Sequence, residues 1–144
     1  MNYVRYVLLL VIDPDTGYVV GITKKKGPAF LLNRVTFPGG KIEPDEDISV
    51  AASREMKEET GIDIPVSDWK LFDVQKGEGY ELNKLVAVSS KVLNSRTCEE
   101  EPVWHLKISA HQQFAAKQPA QYAPDFLQTL EDALTATNGA PVTA

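Results

Sequence analysis

The chain has 144 residues, with 15 lysines and arginines against 20 aspartates and glutamates, two histidines, one cysteine and 43% hydrophobic residues. That is the size of one domain with enough apolar side chain for a core, so two full domains and global disorder are both excluded. The net charge of −5 argues against a nucleic-acid-binding module, which must offer clustered cations to phosphates, and a lone Cys98 cannot form an internal disulfide, which suits a reducing, cytoplasmic address.

Residues 3–12 are rich in Val, Leu, Ile and Tyr, Asp13-Pro14-Asp15-Thr16-Gly17 punctuates, and residues 18–23 are β-branched again, which predicts a β-hairpin. The apolar run from Val7 to Ile12 is far shorter than the roughly 20 residues of a spanning helix, so neither a membrane span nor a signal peptide is expected. Asp13, Asp15 and Gly17 lack the remaining ligands of a calcium loop and read as a turn. Lys24-Lys25-Lys26-Gly27-Pro28 opens a loop, and residues 34–37 form a short strand that ends at Pro38-Gly39-Gly40. Asp47 caps a helix over residues 48–60, which contain no Pro or Gly, and Gly61 stops it. Residues 69–74 and 82–93 read as strands around the Gly77-Glu78-Gly79 turn, residues 103–108 as a further strand, and residues 117–124 as a loop. Phe126, Leu127, Leu130 and Leu134 predict a second helix over residues 126–136. Residues 1–136 are thus expected to form the domain and residues 137–144 a flexible, frayed tail.

The acidity is local. Residues 41–63 hold eight acids and three bases, and the rest of the chain is balanced. On the predicted helix, Ile48, Ala51, Ala52, Glu55 and Glu59 form one stripe, apolar at its start and acidic at its end, with Glu58 beside it. Like charges four residues apart destabilise a helix by roughly 0.2–0.5 kcal/mol, and carboxylates on an inward face cost more unless a positive group meets them. A divalent cation resolves the conflict. Oxygen ligands without a nearby Cys pair point to Mg²⁺ or Mn²⁺, with Ca²⁺ as the alternative, rather than zinc, and His105 and His111 read as a strand residue and a surface residue. Mg²⁺ holds few protein carboxylates and completes its shell with water and phosphate, so an acidic helix end beside a glycine turn reads as a site for phosphate chemistry.

A solvated acidic face is the plain alternative, and the spacing decides against it. Gly40, five residues, Glu46, seven residues, then Arg54-Glu55-Met56-Lys57-Glu58-Glu59-Thr60-Gly61-Ile62 fills every prescribed position of the Nudix box, a coincidence on the order of 10⁻⁸ at residue frequencies this ordinary. The chain therefore resembles the Nudix hydrolases. Phe37-Pro38-Gly39-Gly40-Lys41-Ile42-Glu43 resembles the family's approach to the box, and Glu99-Glu100-Glu101-Pro102-Val103-Trp104 its acidic segment before a late strand.

The resemblance implies an α/β Nudix fold, a mixed β-sheet sandwiched between α-helices, and cleavage of a phosphoric anhydride bond in a nucleoside diphosphate joined to another moiety. It implies Glu55, Glu58 and Glu59 as metal ligands, joined by the Gly40 carbonyl, with Arg54 orienting the carboxylates and Glu46 as its partner. Metal ions neutralise the diphosphate, align it and acidify water. For the general base Glu58 is favoured, with Glu55 and one of Glu99, Glu100 or Glu101 as alternatives.

The attached group is read outside the box. Gly77-Glu78 stand where the family's ADP-ribose hydrolases carry a marker proline, and Tyr80 lies near the tyrosine associated with dinucleoside polyphosphate hydrolases. Nucleoside or deoxynucleoside triphosphates are the leading expectation. ADP-ribose, nucleotide sugars, dinucleoside polyphosphates, or a nucleotide-sensing module without turnover are the alternatives. Lys24 to Lys26, Lys25 among them, and Lys41 are candidates for the terminal phosphates. Tyr3, Tyr6, Phe30, Phe37, Phe72 and Tyr80 are candidates for stacking on a base. Many relatives dimerise, so a homodimer is compatible with the resemblance.

Overall fold

In the computed structural model, which describes residues 3–137, the first apolar run becomes strand β1 (Val4–Asp13), and the predicted hairpin is completed by β2 (Tyr18–Thr23). Gly17 takes a positive φ of 74° and its N–H donates to the Asp13 carbonyl, so the segment between the strands is a turn. Then come β3 (Val35–Thr36), β4 (Gly39–Lys41), helix α1 (Ile48–Thr60), β5 (Lys70–Gly77), β6 (Tyr80–Val88), β7 (Val103–Lys107), α2 (Ile108–Lys117) and α3 (Phe126–Ala136). The seven strands form one mixed sheet in the order β3-β2-β1-β6-β5, with β4 also paired to β1 and β7 to β2. β1 and β6 run parallel in continuous register from Val4↔Tyr80 to Ile12↔Val88, and the other pairs of named strands are antiparallel.

The uninterrupted apolar character of β1 follows from its central place, where both faces are covered. Val7, Leu9 and Val11 join Leu85 and Ala87 of β6 against Ala51, Ala52 and Met56 of α1. Leu10 and Ile12 face the other way and pack with Phe37, Val86, Phe126 and Leu130 beneath α2 and α3. The sheet is thus sandwiched between helices, as expected. Among the described residues no helix is long and apolar enough to cross a membrane.

Four local readings are corrected. Residues 108–117, expected to carry only the end of a strand and an unassigned stretch, form α2, which starts directly from β7 with Lys107 as an N-cap that makes no side-chain bond. Neither Gly nor Pro separates the two elements, so no punctuation marks the change. His111 is fully buried rather than superficial, and its ring packs against Tyr122 and Phe126. The strand expected over residues 82–93 ends at Val88, and Val92–Asn94 form a 3₁₀ turn. Gly39-Gly40, read as the end of a strand, belong to β4 instead. Asp47 does occupy the N-cap of α1, without a side-chain capping bond. Of the tail expected over residues 137–144, residues 138–144 lie outside the described residues.

Candidate active site

The candidate site begins where β4 crosses β1. Gly39 and Gly40 pair with Leu8 and Val7: a Cβ on Gly39 would overlap the Val7 backbone carbonyl, which excludes a side chain there, and one on Gly40 would push the Glu55 carboxyl from its place. The glycine pair lets the second half of α1 lie directly on the sheet edge. Gly61 ends α1 in the left-handed conformation at φ 77°, where an added Cβ would also stand 2.6 Å from the Arg96 guanidinium.

Arg54 organises the acids of the helix. Its Nε and Nη2 donate to the two Glu46 oxygens at 2.8 and 2.9 Å, and Nη2 also donates to the Lys41 carbonyl at 3.0 Å. Nη1 reaches Glu55 at 2.9 Å and Glu58 at 3.4 Å. A planar guanidinium is suited to this because its donors form a rigid fork. Bidentate contact with Arg54 holds the Glu46 carboxyl down at about 2, well below the usual carboxylate range.

The remaining acids are pushed the other way. Glu59 is 8% exposed and accepts the Gly39 N–H at 3.0 Å. Burial, helped by the negative charges of Glu55 and Glu101, raises its carboxyl to about 8 despite the Gly39 hydrogen bond and nearby Lys24. Glu55 is raised as well, burial outweighing its bond to Arg54, with Glu58 and Glu99 adding repulsion. Glu58 is half-exposed, with 49% of its side chain accessible. Among the described residues, no three His, Cys, Asp or Glu side chains stand close enough to cage a metal unaided. What α1 presents is a set of hard oxygen donors, two of them buried against their electrostatic preference, beside the Gly40 backbone. That donor chemistry fits a hard divalent cation.

The three acids of the later loop separate. Glu101 is buried, accepting the Lys25 backbone N–H at 2.9 Å and pairing with Lys24 Nζ at 3.4 Å. Glu99 is exposed yet near enough to raise Glu55, and Glu100 is exposed.

From Gly39 and Gly40 a cleft of about 710 Å³ runs along the part of the α2/α3 sheet face that the helices leave uncovered. Tyr6, Leu8, Leu82 and Lys84 form its floor, following the alternation of β1 and β6, and Lys41 and Tyr80 also line it. Tyr6, Phe30, Phe37 and Tyr80 are the stacking candidates that reach it, whereas Phe72 packs on the core and Tyr3 bonds Glu81. Lys24, not Lys25, lines the cleft, and Lys25 Nζ is turned to Asn33 Oδ1 at 3.1 Å. Sequence reasoning missed Lys84, Asp125 and Thr129. The available signal for Lys84 was a lysine alternating with Leu82 and Val86 on one face of the predicted strand.

Comparison with known proteins gives the family and the fold. The family model of the NUDIX domain matches residues 2–115. The 8-oxo-dGTP diphosphatase of Buchnera aphidicola subsp. Schizaphis graminum is 33% identical over 64 residues, which cover 44% of this chain and 47% of that protein. The matched segment thus spans about half the length of that curated relative. Among solved structures, the MutT described for Aliivibrio salmonicida and Vibrio cholerae superposes with a TM-score of 0.68 at 18% identity, covering 90% of this chain and 98% of its own. The NUDIX domain of Shewanella oneidensis NrtR, solved with ADP ribose, gives 0.69 at 15% identity, covering 95% of this chain and 90% of its own. With the family model spanning most of its length and the complete box laid out between β4 and the end of α1, the chain belongs to the NUDIX domain family.

Proposed function

We propose that the chain is a metal-dependent pyrophosphatase that hydrolyses a nucleoside diphosphate linked to another moiety, with nucleoside or deoxynucleoside triphosphates as its leading substrates and the cytoplasm as its working compartment. The observation that carries this reading is Arg54, whose fork gathers Glu46, Glu55, Glu58 and the carbonyl of Lys41, a residue that with Gly40 lines a nucleotide-sized cleft. The name of the Buchnera relative, an 8-oxo-dGTP diphosphatase, supports the triphosphate choice.

Glu55, Glu58, Glu59 and the Gly40 carbonyl are the groups that would hold Mg²⁺ or Mn²⁺, which supplies charge neutralisation of the diphosphate and acidification of water. Around that centre the chain's own residues have distinct tasks. Arg54 fixes Glu55 and, through Glu46, ties the start of α1 to its second half. Glu58 is the proposed general base: it is exposed and held only by a 3.4 Å contact to Arg54, so its carboxylate is free to swing toward a water. Glu55 is pinned at 2.9 Å and Glu101 is engaged by Lys24 and Lys25, which suits positioning better than proton transfer. Lys24 and Lys41 line the cleft as the cations for terminal phosphates.

The deciding experiment is a phosphate-release screen over nucleoside triphosphates, ADP-ribose, nucleotide sugars and dinucleoside polyphosphates, with Mg²⁺, Mn²⁺ or chelator, and with Glu59→Gln in parallel. Metal-dependent release from one class is expected, reduced about 100-fold or more in the variant. Normal turnover by Glu59→Gln would remove the metal assignment. Silence across the panel with nucleotide still bound would make the chain a sensing module.

A further inference from the structure

The floor of the cleft carries a charge that the proposed hydrolysis does not use. Lys84 sits in the middle of β6, flanked in register by Leu8 of β1 and Asp73 of β5. Its residue is 3% exposed, yet it lines the cleft. An ammonium has three N–H donors and no acceptor. Here one donor is met by Thr129 Oγ1 at 2.9 Å, and the Asp73 carboxylate stands at 3.7 Å, beyond hydrogen-bond reach. Asp73 thus balances the charge as an ion pair and Thr129 takes one hydrogen bond, which leaves donor capacity on the ammonium for an acceptor brought into the cleft.

The surroundings indicate which acceptor fits. Tyr6, Leu8, Leu82 and Tyr80 give this part of the cleft flat, apolar surface suited to a planar ring. Phosphates are directed across β1, where Gly39 stands in register with Leu8 and Lys41 with Tyr6, two strands over from Lys84 and Leu82, and where Lys24 also lines the cleft. Asp125, also on the cleft wall, has a left-handed backbone at φ 65° and makes no side-chain cap bond to α3, so its carboxylate is available as an acceptor. A donor and an acceptor on one apolar cleft complement a ring that presents a carbonyl next to an N–H. Adenine presents an amino group beside an unprotonated ring nitrogen at the corresponding edge and offers the opposite pattern.

We propose that Lys84 is the base-reading residue of the cleft and selects nucleotides whose base carries a lactam edge, as in hypoxanthine or guanine, over those with an amino edge such as adenine. Lys84 donates to the ring carbonyl oxygen, Thr129 positions the ammonium, and Asp125 accepts from the neighbouring ring N–H. This inference rests on the reading of the cleft as a nucleotide site, and it deepens that reading by naming the class of base.

The test measures binding and turnover separately. Inosine and adenosine triphosphates, which differ at the lactam edge alone, are titrated by calorimetry in chelator, where hydrolysis is silent, and then compared by kcat/KM with Mg²⁺. The expected result is a preference for inosine triphosphate of roughly tenfold or more in both measurements, reduced to within about twofold by Lys84→Met. Equal affinity of the wild-type protein for the two nucleotides overturns the inference while leaving the hydrolase reading intact, as does a preference that survives in Lys84→Met. A Lys84-dependent preference in binding without any turnover supports the inference and overturns the hydrolase reading. Absence of binding in chelator together with absence of turnover of both nucleotides with Mg²⁺ overturns both. If Lys84→Met does not fold, as judged by circular dichroism, the wild-type pair still decides, because equal affinities or an adenine preference contradicts a lysine reading a carbonyl.

Discussion

The two ends of the cleft are built on different principles. At the glycine end, the acids and the arginine come from one helix and the short loop before it, and a single guanidinium reaches three carboxylates and a backbone carbonyl within 3.4 Å. At the lysine end, Tyr6, Lys84, Asp125 and Thr129 come from three distant stretches of the chain, brought together by the parallel pairing of β1 with β6 and by the seating of α3 on the sheet. Reaction chemistry needs fixed mutual geometry, which a short rigid segment provides. Recognition needs a surface, which several elements assemble and which can vary one residue at a time.

The comparison breaks most sharply at Arg54. Replacement by Lys keeps the charge but loses the fork, so Glu46, Glu55 and Glu58 can no longer be held together. Turnover of Arg54→Lys is expected to fall about 10–100-fold, with KM for the nucleotide moving far less, because the recognition end is untouched. A matching rise in KM instead would mean that the two ends are not separable.

Stability sharpens the contrast. The Glu59 carboxyl titrates near 8 in the folded chain against an ordinary value of 4.5. Its contribution to folding is therefore complete below pH 4.5 and is lost as the pH rises through 8. In chelator, Glu59→Gln is expected to melt at a higher temperature than wild type at pH 8 and to show little gain at pH 4.5, a difference of at most roughly 5 kcal/mol. Identical melting curves at both pH values would contradict the buried, repelled carboxylate.

His111, on the buried face of α2, has the opposite sign. It is buried with Nε2 lacking a hydrogen-bond partner among the described residues, its Nδ1 3.4 Å from the Tyr122 hydroxyl, and burial lowers its pKa from 6.5 to about 4. The neutral ring is the folded form, so its share of stability is complete above pH 6.5 and is lost as the pH falls through 4, by about 3 kcal/mol at most. Urea titrations between pH 7 and 4 should show this loss in wild type and a flatter profile in His111→Leu. The smallest effect is expected at Lys25, whose side chain points away from the cleft: Lys25→Ala should leave KM within about twofold, whereas Lys24→Ala should raise it several-fold. Equal effects would reassign the phosphate contact.

The same division explains what the sequence could disclose. Residues 40–62 write their geometry into local spacing, since a helix fixes where positions 54, 55, 58 and 59 stand relative to one another. The long strands and α3 were likewise readable from apolar periodicity. α2 was not, because its buried stripe consists of Ile108, His111 and Ala115, only one of them strongly apolar, and because it follows β7 without a break. β4 was hidden because glycines suggest turns, and here they are needed for close approach to Val7 and Glu55. Lys84 belongs to a third kind: its meaning depends on Thr129, 45 residues away, and no local pattern encodes that distance.

Glu101 fastens its segment to the lysines beside the cleft, and Cys98, the sequence's lone thiol, lies exposed three residues before it. A fluorophore attached there needs no cysteine to be removed or introduced first. The wild-type chain therefore carries an optical handle on the segment that ties the acids to Lys24, and a change in its emission as nucleotide is added reports that tie loosening or tightening in real time.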